Sequence, residues 1–201
     1  MSFSAAATAG GTLIERPVRP MSRRKFSDPV TAAAYHEAGH AVMCHLLHLR
    51  IGSVRIGADE LGGGETRHAN PFRDASPLDD ATGRGRLRLE KAVMLCLAGP
   101  VAQAKMSPDA AHREDGGALD WPVALARAMR FFRSQKIAQA YIAFARAWVD
   151  EIFAAPRIWA VVERLAKALI AERRLSGREA EAIIRGASMM PRLAARSRLP
   201  L

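Results

Sequence analysis

The sequence predicts a mainly α-helical domain with one small β-hairpin. Of the 201 residues, 49% are hydrophobic but only 6% are aromatic, and alanine, the strongest helix former, is abundant. The apolar residues lie mostly in long runs broken by proline, glycine or serine, whereas strand-like alternation is confined to short stretches after the first run. The apolar content is large enough for the core of one domain.

The first helix is predicted from residue 29 to about residue 49. Ser27 or Asp28 is a suitable N-cap, and Pro29 fits the first helical position because its missing N–H needs no partner there. Gly39 lies inside this helix, where glycine costs about 1 kcal/mol relative to alanine. We therefore expect another element to approach the first helix closely at Gly39.

A β-hairpin is predicted next to this helix. Residues 53–56 carry alternating β-branched side chains, glycines at 62–64 mark a turn, and residues 65–68 form the second strand. We expect an edge strand near Val54 or Glu65 to be able to pair with an extended peptide.

Five more helices are predicted after a loop at 70–83. The second helix of the chain contains Pro100, which is expected to kink it. A polar loop at 107–117 precedes the third. The last helix opens at Ser176, where Ser176 and Glu179 have the spacing of a capping box. The predicted spans are 84–106, 120–132, 135–154, 157–173 and from 176 onward.

The formal net charge of +10 is concentrated in the two ends of the chain. We divide the sequence into a disordered basic tail at 1–26, a folded domain at 27–188 and a basic C-terminal tail at 189–201. Such tails can contact nucleic acid or an anionic membrane, but solvated chain ends are the simpler interpretation. Nucleic acid is therefore an unexpected partner.

The cysteines and the hydropathy favour a cytoplasmic protein. Cys44 and Cys96 lie inside apolar helical runs, which is typical of small buried hydrophobes in a reducing compartment. No apolar run approaches the roughly 20 residues of a membrane span, and the N-terminus lacks the pattern of a secretory signal.

The pentapeptide at 36–40 spells H-E-x-x-H. On a helix, His36 and His40 lie one turn apart on the same face, so both imidazoles can bind one metal ion. Glu37 lies where its carboxylate can reach a water bound to that metal. Two histidines, a third ligand and an open fourth position describe a catalytic Zn²⁺ site that hydrolyses a peptide or similar acyl bond. The alternative is a chance match of two half-buried histidines and a surface glutamate.

The third ligand is not decided by these patterns. A side chain on a separate helix is held better than one in a loop, which favours Glu90 and Asp120. Their other roles would be a solvated helix face for Glu90 and a helix N-cap for Asp120. Cys44, one turn beyond His40, fits a tetrahedral site poorly. The candidates are His68, Glu90, His112, Glu114, Asp115 and Asp120.

Several segments, in the same order, resemble the peptidase domain of the FtsH family, the membrane-anchored AAA zinc metalloproteases. Residues 35–42 (YHEAGHAV) are very close to that family's metal helix, and the strand and glycine turn at 54–64 follow as they do there. Three later segments resemble its L-G-G-R-A-A-E, G-A-x-N-D and closing L-x-G-E-E-V-x-x-I-L motifs; they are 97–103 (LAGPVAQ), 117–120 (GALD) and 175–184 (LSGREAEAII).

The resemblance implies a zincin-like helical metallopeptidase domain in which Asp120 is the third zinc ligand. The chain also departs from the family. Pro100 replaces an arginine and Gln103 replaces an acid, and the A-R-x-M at 126–129 falls two residues earlier relative to Asp120.

The function that we expect is a zinc metalloendopeptidase acting on peptides or unfolded proteins. The sequence has no G-x-x-x-x-G-K-[ST] phosphate loop, so we expect a lone peptidase that is not itself ATP-driven. It would act on accessible peptides or with a separate ATPase partner, and the family's rings make a homo-oligomer conceivable. Tyr35 and His112 are weak candidates for stabilising the oxyanion.

Two other functions stay open. A non-catalytic relative could keep the metal site as structure and act as an interaction or adaptor module. A nucleic-acid or anionic-surface binder could work through the basic tails, although the sequence lacks interleaved aromatic residues.

Overall fold

The computed structural model describes residues 28–57, 63–72, 82–107 and 120–186. Both predicted tails and most of the predicted loops at 70–83 and 107–117 lie outside these ranges, as do the ligand candidates His112, Glu114 and Asp115. The described elements are α1 (Pro29–Leu46), β1 (Ile51–Ile56), β2 (Gly64–His68), α2 (Gly83–Met106), α3 (Asp120–Met129), α4 (Gln135–Ala154), α5 (Pro156–Glu172), β3 (Arg174–Ser176) and α6 (Gly177–Gly186).

The described chain is mainly helical, with a small antiparallel sheet, as the sequence predicts. The start of α1 is confirmed: the Asp28 carboxylate accepts hydrogen bonds from the backbone N–H groups of Val30 (3.4 Å) and Thr31 (3.2 Å). The helix ends three residues earlier than predicted, because His48 adopts a positive φ of 58° and turns the chain toward β1.

The sheet has the strand order β2-β1-β3. The predicted hairpin is confirmed, with Val54 of β1 opposite Thr66 of β2. Strand β3, which the sequence analysis placed at the start of the last helix, pairs with the other side of β1 and sets Leu175 opposite Val54. Val54 therefore lies on the central strand, so the expectation of an edge there is wrong. Among the described strands, β2, which carries Glu65, is an edge.

Helix α1 lies at the centre of the fold, against α2, α5 and the sheet. The close approach predicted at Gly39 is confirmed: a Cβ at Gly39 would lie 2.5 Å from the Ala98 carbonyl oxygen and 2.6 Å from the Ala102 Cβ. Because α1 is buried on most sides, any functional group that it carries is held by packing as well as by the helix.

The remaining helices follow the predicted spans with small shifts at their ends. Helix α2 continues through Pro100, and α3 ends at Met129 rather than near residue 132. The predicted capping box is confirmed: the Ser176 N–H donates to Glu179 Oε2 (2.7 Å) and the Glu179 N–H donates to Ser176 Oγ (3.3 Å). No described helix has the length and apolarity that a membrane crossing needs.

Candidate metal centre

The three residues of the H-E-x-x-H motif lie on the buried α1. His36 is 7% exposed and Glu37 is 5% exposed. One helical turn brings the Nε2 atoms of His36 and His40 to 3.0 Å from each other. The alternative of a surface glutamate is therefore wrong, and the two imidazoles share one small space.

Asp120, the first residue of α3, completes the cluster. Its Oδ2 lies 3.0 Å from His36 Nε2 and 3.6 Å from His40 Nε2. In the part of the chain that the structure describes, these three residues are the group of ligand-type side chains close enough to hold one metal ion, all within 4.8 Å of one another.

The other ring nitrogens of both histidines have acceptors. The Nδ1 of His40 lies 2.8 Å from the Leu95 carbonyl oxygen, which can only accept, so Nδ1 carries a proton. The Nδ1 of His36 lies 3.0 Å from Gln103 Oε1. With Nδ1–H donating in each ring, the unprotonated position is Nε2, and it faces Asp120. Helix α2 supplies both acceptors and thereby orients both rings.

Gly99 of α2 provides the space for the two rings. A Cβ at this position would lie 2.6 Å from His36 Nε2 and would collide with His40 Nε2. In the sequence, Gly99 is one residue of the FtsH-like segment at 97–103, and no other pattern singles it out. Its role depends on how α2 packs on α1, which no local pattern encodes.

The donor set fits a divalent metal ion. Two imidazole lone pairs and a carboxylate oxygen directed at one point repel one another unless a cation or a proton lies between them. Two nitrogens and one carboxylate oxygen are ligands that zinc uses in catalytic sites. The structure thus supports a metal site at His36, His40 and Asp120.

Glu37 is held by the hairpin. Thr66 Oγ1 donates to Glu37 Oε2 at 2.6 Å and lies 3.2 Å from the Glu37 carbonyl oxygen. Gly64 lies against the same carboxylate, because a Cβ there would be 2.6 Å from Glu37 Oε1. The side chain thus has one oxygen fixed by Thr66, and the sequence analysis did not foresee this contact.

The cluster shifts the pKa values of its members. Burial is the largest single influence on Asp120 and would raise its pKa, but when the rings are protonated at Nε2 the hydrogen bonds and charges of His36 and His40 together outweigh it and hold that pKa well below its usual range. Burial alone would lower the pKa of His40, yet hydrogen bonding to Asp120 and the nearby charges of Asp120 and Glu37 raise it. Without a metal ion, the carboxylate and a proton on the imidazole stabilise each other.

The other described ligand candidates lie outside the cluster. Glu90 is only 7% exposed, so the expectation of a solvated helix face is wrong. It lies near Tyr141, whose pKa is raised to about 12 by burial and then by the Glu90 charge. His68 Nδ1 lies 2.9 Å from the Ala69 carbonyl oxygen. Cys44 and Cys96 are buried, as predicted.

Arg127 joins α3 to α2, which the sequence analysis did not predict. Its Nη1 donates to the Ala92 carbonyl oxygen (3.0 Å) and lies 3.3 Å from Cys96 Sγ. Arg127 follows Asp120 by two helical turns, so both side chains lie toward α2. The only sequence signal was an arginine on an otherwise apolar helix face.

Tyr35 lies away from this cluster. Its ring packs 5.7 Å from the Trp159 ring of α5, and its pKa is raised by burial and by Glu163 of the same helix. These neighbours argue against Tyr35 as the group that stabilises an oxyanion.

The comparisons with known proteins leave the family open. No protein-family model matches this chain, and a search of curated proteins finds no matching relative.

Proposed function

We propose that this protein is a zinc-dependent metallopeptidase of the H-E-x-x-H type, with a zincin-like domain of the FtsH kind. The observation that carries the proposal is the meeting of His36, His40 and Asp120 within 4.8 Å, with the buried carboxylate of Glu37 on the same helix as the two histidines. Three ligands from two helices leave a coordination position for water or substrate.

The metal and Glu37 divide the chemistry between them. When bound, a zinc ion polarises the scissile carbonyl and makes a water molecule acidic enough to attack near neutral pH. Glu37 accepts the proton of that water and then donates it to the leaving amine, acting first as general base and then as general acid. Nothing in this chemistry needs ATP.

Thr66 and Gly64 prepare Glu37 for this role. The hydroxyl of Thr66 donates to Oε2, so Oε1 is the oxygen left for the water. Since Gly64 has no side chain, the hairpin approaches the carboxylate closely. A carboxylate fixed by packing and one hydrogen bond loses little entropy when it takes up the proton.

The substrate in this proposal is a peptide or an unfolded protein that adopts an extended form. Strand β2 carries Thr66, which contacts Glu37, and is an edge of the described sheet. A peptide that pairs with β2 would form main-chain hydrogen bonds beside the metal ligands. Such pairing recognises the backbone of the substrate peptide more than its side chains, which is typical of a protease of broad specificity.

The test is the Glu37→Gln variant. We expect zinc content equal to that of the parent and a loss of casein cleavage of at least about 100-fold, since general acid–base catalysis contributes roughly that much. Glu172→Gln, an exposed change at the end of α5, is the matched control and should leave both quantities unchanged. Cleavage by Glu37→Gln at the parental rate would reject the mechanism.

The same experiment separates the adaptor alternative. A parent protein that binds stoichiometric zinc but cleaves neither casein nor unfolded substrates would support a structural metal site. A parent protein without bound transition metal would reject both the metallopeptidase and the structural metal site.

A further inference from the structure

Helix α4 has a second apolar face in addition to the one that it buries. Its core face carries Ala138, Ile142, Ala145 and Val149, all at most 2% exposed. By contrast, Ile137 is 53% exposed and Phe144 is 47% exposed. Large apolar side chains that are exposed together along one helix face mark an interaction site when they form a contiguous patch.

The exposed residues form a continuous stripe, which we call the α4 stripe: Ile137, Ala140, Phe144 and Ala147. Their spacing of three and four residues aligns them along one side of the helix. Ala140 and Ala147 are exposed and small, so another helix can approach closely on either side of Phe144. The Trp148 ring, 6.1 Å from that of Phe144, borders the stripe.

Opposite charges lie at the two ends of the α4 stripe. Lys136 is next to Ile137 at the N-terminal end, and Glu151 lies one turn beyond Ala147 at the C-terminal end. Neither side chain forms an ion pair with another described residue. The two charges lie about 22 Å apart along the helix at 1.5 Å per residue.

This arrangement is self-complementary in an antiparallel pair. The midpoint between Lys136 and Glu151 falls between residues 143 and 144. A two-fold axis there sets Lys136 of each copy opposite Glu151 of the other and Ala140 opposite Ala147, and the two Phe144 side chains meet near the axis. One symmetry operation thus pairs opposite charges at both ends and brings the two apolar stripes face to face.

We propose that the α4 stripe binds a second copy of this chain, forming a two-fold dimer with antiparallel α4 helices. The inference is independent of the proposed peptidase function, because α4 contributes no residue to the metal cluster.

Sedimentation equilibrium of the full chain tests the proposal, over loading concentrations from about 1 to about 100 µM. The parent should dimerise, and Lys136→Glu or Glu151→Lys alone should each raise the dimer Kd by about tenfold, because each places like charges together twice. The Lys136→Glu/Glu151→Lys double variant should restore the parental Kd. Lys167→Glu on the exposed side of α5 is the charge-matched control and should have no effect.

Mixing the two single variants gives the most specific result. One copy then has Glu at both positions and the other has Lys at both, so the heterodimer is complementary at both ends while each homodimer is repelled. We expect the mixture to dimerise more tightly than either variant alone. A mixture no tighter than its components would overturn the antiparallel pairing.

Phe144→Glu tests the centre of the contact and should abolish dimerisation. Because Phe144 is half exposed, the variant should keep the parental circular dichroism, while its Tm, unlike that of a dimerising parent, should not depend on protein concentration. A parent that is monomeric throughout the range would overturn the proposal, and so would a Phe144→Glu variant that dimerises as the parent does. A monomeric parent whose Tm falls on Phe144→Glu would instead indicate that part of its own chain covers the stripe.

Discussion

At the scale of single residues, the candidate centre depends on groups that contact the ligands as much as on the ligands themselves. His36 and His40 have defined roles only because Gln103 and Leu95 accept hydrogen bonds from their Nδ1–H groups and Gly99 leaves them space. Each of these contacts comes from α2, so the metal helix alone is an incomplete site.

Replacing Gln103 should weaken metal binding. In Gln103→Leu the His36 ring loses the acceptor for its Nδ1 proton, which fixes both its tautomer and its orientation, so zinc affinity should fall about 10- to 100-fold. Competition with a fluorescent zinc chelator measures this change.

Gln103→Glu is the matched control for that variant. A carboxylate offers the same acceptor and makes the imidazole more basic, so zinc affinity should be at least that of the parent. Equal affinity in Gln103→Leu and the parent would show that the hydrogen bond does not position the ligand.

Adding one methyl group at Gly99 should remove the site. In Gly99→Ala the new Cβ would lie 2.6 Å from His36 Nε2 and would also collide with the His40 ring, so at least one imidazole must move. We expect zinc stoichiometry near zero by metal analysis, although alanine is the better helix former by about 1 kcal/mol.

Gly83→Ala provides the comparison, since a Cβ at Gly83 would meet nothing within 4 Å. That variant should keep full zinc content and a Tm equal to or above that of the parent. Full zinc content in Gly99→Ala would mean that the imidazoles lie farther from α2 than the structure places them.

The sequence predicts the ligands on α1 better than the residues around them. His36, Glu37 and His40 lie within five consecutive residues, so the helical backbone alone fixes their relative positions. Asp120 was reached through a resemblance between segments, because its contact with the histidines spans more than eighty residues of chain. Gln103, Thr66 and Gly99 act through tertiary packing, which leaves no periodic or spacing signal.

At the scale of elements, local signals predict where helices begin, and long-range pairing decides the rest. Asp28 with Pro29 and Ser176 with Glu179 are contacts within one turn, and both are confirmed. Strand β3 is three residues long, too short for an alternation pattern, and exists because it pairs with β1. Its approach depends on Arg173, whose φ of 59° ends α5.

The contact between α3 and α2 should control the metal site through Arg127. In Arg127→Met the hydrogen bond to the Ala92 carbonyl oxygen is lost, while the aliphatic volume is largely kept. We expect the free energy of unfolding of the zinc-free protein to fall by about 1.5–3 kcal/mol, the range for hydrogen bonds to charged groups. Zinc affinity should fall as well, because the same helix carries Asp120.

Arg164→Met, an exposed change on α5, is the control and should leave both quantities within error of the parent. Urea unfolding with a chelator present measures stability, and chelator competition measures affinity. A loss of stability without any loss of zinc affinity would show that Asp120 is positioned independently of Arg127.

At the scale of the whole molecule, the metal centre couples folding to pH. Helix α2 and the hairpin pack on α1, and Asp120 of α3 contacts both histidines of α1, so charges at the cluster act on the packing of several elements. The cluster can hold either a proton or a metal ion. The stability of the zinc-free protein and that of the zinc-bound protein should therefore change with pH in opposite directions.

In the zinc-free protein, Asp120 and Glu37 raise the pKa of His40, so this ring keeps its proton to a higher pH in the folded state than in the unfolded state. A raised pKa in the folded state stabilises below the unfolded-state value of about 6.5, and that stability is lost as pH rises through the folded-state pKa. The Tm measured with a chelator should therefore decline from about pH 6 to about pH 8. With saturating zinc the Tm should rise over the same range, because metal binding needs deprotonated imidazoles and strengthens as protons leave.

Thermal unfolding followed by circular dichroism, with chelator and with zinc, measures both slopes of Tm against pH. His40→Ala is the control in which the difference between them should disappear, and parallel slopes in the parent would contradict competition between proton and metal at one site.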